Sequence, residues 1–180
     1  MNIQSVIGSL ILAVALSAST SFALDNTTES AGKTLGAKMV SEISFDEGKS
    51  SLTDSAKDDI RKMVNEAKQK GKIDELKVAV WADREYPTEG AKASKQDVNL
   101  ANDRARVVKN FIKDELKVGS VNTYNMTERP NALQKFMHTD TAKTKTAMED
   151  SGAAPRTQDE TGFFNQKAKS SKAVIMVYMK

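Results

Sequence analysis

The end of the chain places the tightest constraint on its fold. Ala173 to Met179, AVIMVYM, is the strongest β run in the sequence. A near-continuous apolar strand of this kind has no face to turn toward water and belongs in the interior of a sheet. Three other segments supply strands to surround it. Val40 to Phe45 alternates apolar and polar residues before the turn Asp46-Glu47-Gly48, which suits a short strand. From Leu76, the residues Leu76, Val78 and Val80 alternate with Lys77, Ala79 and Trp81, which predicts a richer, more central strand. Val121 to Met126 reads as a third.

Two helices fall between these strands. Ala56, Ile60, Met63, Val64 and Ala67 lie on one helical face, with Thr53 or Ser55 as the cap and Gly71 as the stop. In the second, Val98, Ala101, Ala105, Val108 and Phe111 or Ile112 form the buried stripe, Asp97 sits in the first turn, and Lys117 and Gly119 mark the end. The order strand, helix, strand, helix, strand, long excursion, strand predicts an α/β fold: a two-layer sandwich with a mixed four-stranded sheet covered by two main helices.

Residues 1–23 contain no Asp, Glu, Lys or Arg, and the apolar run Val6 to Leu16 leads to the small residues before Ala23. That pattern predicts a secretory signal peptide cleaved near Ala23, and therefore a periplasmic protein. Residues 24–39 are polar and read as a flexible tether, leaving 40–180 as the domain, with 127–172 as an extended excursion. Within that excursion a short helix is expected between Asn131 and Met148, and the loop Arg84 to Gln96 is expected on the surface. The chain has no cysteine, so thiol chemistry, disulfides and a lipid-bearing Cys are excluded. Its formal charge of +3, from 27 basic and 24 acidic residues that are interspersed, does not point to nucleic acid.

Catalysis has little to work with. His138 is the one histidine, and the adjacent carboxylates Asp58-Asp59 and Glu149-Asp150 diverge on a helix. No phosphate-cradling, serine-hydrolase or zinc-binding pattern occurs. The expectation is a protein with no enzymatic activity, no cofactor and no metal. Asp83 and Arg104 differ in kind from these scattered groups. One follows a strand and the other lies on the first turns of the helix expected beside it. A carboxylate and a guanidinium so placed can grip a zwitterion, or they can pair with each other.

Phe45-Asp46-Glu47-Gly48-Lys49-Ser50-Ser51-Leu52, the strand ending Val80-Trp81-Ala82-Asp83, and Asn99 to Val108 containing Arg104-Ala105 resemble the C-terminal peptidoglycan-associating domain of the OmpA family, whose pattern is F-x-x-x-S-x-L, G-H-T-D and N-x-x-L-S-x-x-R-A-x-x-V. The resemblance implies that Asp83 and Arg104 hold the diaminopimelate end of a peptidoglycan stem peptide, with Asp97 at the pattern's Asn position. The partner would then be peptidoglycan and the site outer membrane associated. Val80-Trp81-Ala82 replace Gly-His-Thr, Ala101 replaces Ser, and Ser171-Lys172-Ala173 stand near the family's N-R-R. These departures keep a second reading open: a diverged OmpA-like scaffold that binds a cell-envelope protein instead. Trp81 is expected to pack in the core.

Overall fold

A computed structural model describes residues 26–84, 92–128, 137, 139–155 and 170–180. The elements run α1 (Asn26–Thr34), β1 (Met39–Ser44), α2 (Asp54–Lys70), β2 (Ile73–Val80), α3 (Lys95–Asn110), β3 (Val121–Asn125), α4 (Asp140–Asp150) and β4 (Lys172–Met179). The four strands form one sheet in the order β1-β4-β2-β3. β4 is antiparallel to both neighbours, while β2 and β3 are parallel. The apolar C-terminal run therefore sits inside the sheet, as its composition demands.

The strand alternation explains why β4 carries no polar face. Ala173, Ile175 and Val177 join the core beneath α2 and α3, whereas Val174 and Met176 enter a second core on the opposite face. α2 covers β1, and α3 covers β2 and β3. The α2 stripe Ala56, Ile60, Met63, Val64 and Ala67 is buried as its spacing predicts. Its cap is Thr53, whose side chain accepts from the Ala56 N–H at 3.2 Å, satisfying one of the donors a helix start leaves open. α3 runs into a wider final turn over Phe111–Glu115, where the Leu116 N–H reaches the Phe111 carbonyl. Lys117, at φ 55°, then turns the chain out of the helix.

The opposite face differs from expectation. Residues read as a tether form α1, which docks on β1 and against α4. Thr28, Ala31 and Gly32 are its buried residues. Gly32 is there for space: a Cβ would lie 2.2 Å from Val40 Cγ2. The polar sequence of α1 concealed a narrow buried stripe of small residues. α4 completes this layer, with Met148 packing beside Trp81, Met126 and Met176. Thus, among the described residues, the two expected helices cover one face of the mixed sheet, and two shorter ones cover the other. The expected leader, most of the loop at 84–96, His138 and much of the 127–172 excursion lie outside the described residues.

Candidate functional site

The parallel strands β1 and β2 both end at one rim of the sheet, where β4 begins. Four segments meet there: the turn after β1, the residues beyond β2, the first turns of α3 and the start of β4. α3 is set in place by Ser94, whose hydroxyl accepts from the Asp97 N–H at 3.1 Å and donates to Asp97 Oδ2 at 2.8 Å. Asp97 is thus engaged at the helix start, next to Ser94. It is exposed to a degree that Arg104, two turns further on, is not.

Arg104 is fully buried although it is charged, because its spacing with Ala101, Ala105 and Val108 places it in the middle of the core-facing stripe. Its Nε donates to the Lys49 carbonyl at 2.8 Å and its Nη1 to the Trp81 carbonyl at 3.0 Å. Nη2 donates to the Asp46 carbonyl at 3.0 Å and to Asp83 Oδ1 at 2.6 Å. The guanidinium also lies over the Phe45 ring, 4.8 Å from its centroid. Four of the five N–H donors of this group are therefore spent on the protein itself. A buried cation needs such partners, since leaving it unpaired costs several kcal/mol.

Asp83 is the other half of the knot. Oδ1 also accepts from Ser171 Oγ at 2.7 Å, and Oδ2 accepts from the Gly48 N–H at 2.6 Å. Its side chain keeps 15% of its surface exposed against 0% for Arg104. Burial pushes its pKa up, but the hydrogen bonds from Ser171, Arg104 and Gly48 and the charge of Arg104 outweigh that, and the carboxyl titrates below its ordinary 3.8. Asp83 is held ionised, with its outer edge facing the rim.

The structure thus joins Asp83 directly to Arg104 and leaves Asp97 with Ser94. Gly48, Ser171 and the carbonyls of Asp46 and Lys49 complete the arrangement, and their part was not read from the sequence. The one signal for them was the Phe45-to-Lys49 turn and the placement of Ser171 just ahead of the last strand.

No family model matches the chain, and none of the curated proteins does. Among solved structures, the chain is similar to the OmpA-like domain of FopA1 from Francisella tularensis subsp. tularensis SCHU S4. The identity is 12%, covering 78% of this chain and 72% of that one, at a TM-score of 0.43. A likeness of that degree leaves the rim to be understood from its own geometry.

Behind the rim, on the α1/α4 side, Trp81 is 1% exposed and packs in the second core. Lys172 Nζ stands 5.7 Å from the centre of its ring and pairs with Glu42 at 3.1 Å, while Thr28 donates to the same carboxylate oxygen at 3.1 Å. Buried in this way, the indole presents no face on which a sugar could stack. Among the described residues no group of three or more His, Cys, Asp or Glu side chains is arranged to hold a metal ion, and no helix is long and apolar enough to cross a membrane.

Proposed function

We propose that this chain is a non-catalytic binding module on an OmpA-like frame, in which Asp83 and Arg104 tie the frame together and the partner is a cell-envelope protein. The observation that carries this reading is the complete enclosure of Arg104 by Asp83 and three backbone carbonyls. A diaminopimelate end presents an ammonium and a carboxylate, and the carboxylate needs a guanidinium with donors to offer. One N–H remains, so to present the two parallel donors of a fork Arg104 would have to release the turn at 46–49, the end of β2, or Asp83. Release would cost the Lys49 and Trp81 carbonyls their side-chain donor, and would leave the Asp46 carbonyl with the Lys49 N–H alone and Asp83 with Ser171 and Gly48.

One feature favours a second reading, direct recognition of peptidoglycan stem peptides. Asp83 is anionic, partly exposed, and sits beyond the carboxyl ends of parallel strands, where open α/β sheets commonly place ligands. Its outer edge can accept an ammonium group while Arg104 serves only to hold it in position. The exported, periplasmic location belongs to both readings and rests on the leader-like residues 1–23.

The test is retention on purified sacculi containing diaminopimelate, with circular dichroism confirming that each variant is folded. The scaffold reading expects no retention of the wild-type protein. Retention that is lost in a folded Asp83→Asn protein would overturn it in favour of stem-peptide binding.

A further inference from the structure

We infer that the open edge of β1 is a self-pairing surface that joins two copies of this chain, making one sheet continuous across both. Among the described residues, β1 has a single strand neighbour, β4. The Phe45 N–H donates to the Ser171 carbonyl, so in an antiparallel ladder alternate residues Ile43 and Ser41 share rungs with β4, while Val40, Glu42 and Ser44 turn their backbone groups outward. The strand has six residues, no proline and an unbroken register with β4 from Met39 to Ser44. It lacks the proline or mid-strand bulge that commonly blunts such edges.

The occupant is argued from charge. α1 runs antiparallel to β1, since Thr28 bonds Glu42 while Gly32 abuts Val40. Beside the edge, α1 and β1 enclose a cleft lined by Glu29, Lys33, Ala37, Lys38, Met39 and Val40. Glu29 and Lys33 lie one turn apart on the exposed side of α1 and pair at 2.7 Å. A two-fold axis through Ser41 pairs Val40 with the partner's Glu42, avoids placing the two Glu42 carboxylates opposite each other, and runs the two α1 helices antiparallel. Glu29 then faces the partner's Lys33, and Lys33 faces the partner's Glu29. A patch with one acid and one base at this spacing complements its own two-fold copy.

Sedimentation equilibrium of the full chain tests this, with wild type expected to be dimeric. Val40→Pro removes an outward N–H and leaves the β4 rungs intact, and it is expected to yield a monomer with an unchanged circular dichroism spectrum. Glu29→Lys and Lys33→Glu, each present twice in the interface, are expected to weaken the dimer on the order of tenfold, and the double swap to restore it. The double swap carries the test if Val40→Pro fails to fold. A wild-type monomer at every concentration reached, a folded Val40→Pro protein that dimerises as wild type does, or charge variants without effect would each overturn the proposal. So would an edge that takes up an unrelated extended peptide while the chain stays monomeric.

Discussion

On the α2/α3 face of the sheet, long amphipathic helices lay Ile60, Val64, Val108 and Ile112 onto Val78, Ile175 and Val177, with one buried cation, Arg104, at the rim. On the α1/α4 face, shorter helices bring Ala31, Met148 and Ala153 to Trp81, Met126 and Met176, and Thr28, Thr144 and Lys145 are buried among the helical residues there. Lys145 meets its cost by donating to the Met126 carbonyl and pairing with Glu149. The first face is specified by branched side chains at helical spacing, the second by small residues and adaptable methionines that let helices with little apolar character approach closely. A sheet whose central strand is apolar throughout can recruit either kind of cover.

That contrast can be broken most severely at the rim. Arg104→Met keeps the apolar stem but takes a partner from Asp83 and from the carbonyls of Asp46, Lys49 and Trp81, and is expected to cost about 3–5 kcal/mol in urea unfolding; a loss below about 1 kcal/mol would show that the rim does not hold the first face together. Ile60→Ala, in the centre of the α2 stripe and fully buried, is expected to cost about 2–5 kcal/mol by the same measurement. Gly32→Ala probes the second face. With Val40 Cγ2 in the way, the added methyl is expected to cost about 1–3 kcal/mol, whereas a neutral or stabilising outcome would mean that α1 is not docked as described. The smallest effect should come from the caps. Thr53→Ala and Thr139→Ala each remove a side-chain acceptor from a helix N-terminus and are expected to cost about 1 kcal/mol, the former slowing or weakening the first face and the latter the second.

The pH dependence of the rim has a definite sign. The folded-state pKa of Asp83 lies below its ordinary 3.8, so its contribution is present in full above that value and is lost as pH falls through the lower folded value. Acid unfolding curves of wild type and Asp83→Asn should therefore converge as pH drops below about 4. Curves separated by the same amount at every pH would assign the effect of the substitution to packing rather than to charge.

The first face was legible because its signals are periodic. Ala56 to Ala67 and Ala101 to Ile112 mark their buried stripes by spacing, and Ala173 to Met179 marks an interior strand by the absence of polar residues. The pairing of Asp83 with Arg104 was visible only as two charges at the ends of adjacent elements. The spacing put Arg104 within the apolar stripe, but the sequence did not disclose that an arginine there takes most of its acceptors from nearby backbone. Those acceptors, at Asp46, Lys49 and Trp81, are carbonyls that every residue possesses, so no side-chain pattern announces them. α1 was missed for a related reason. Thr28, Ala31 and Gly32 are small or polar, and their burial depends on a sheet surface formed by residues far along the chain.

The claim that Asp83 and Arg104 serve the frame is tested most directly by a double-mutant cycle in urea unfolding at neutral pH, using Asp83→Asn, Arg104→Met and the two together. If the pair is a structural tie, each single variant loses stability, and the double variant is less destabilised than the sum by about 1–3 kcal/mol, because the two groups share one network. Single variants that stay within about 0.5 kcal/mol of wild type while sacculus retention disappears would contradict this and return both residues to a ligand.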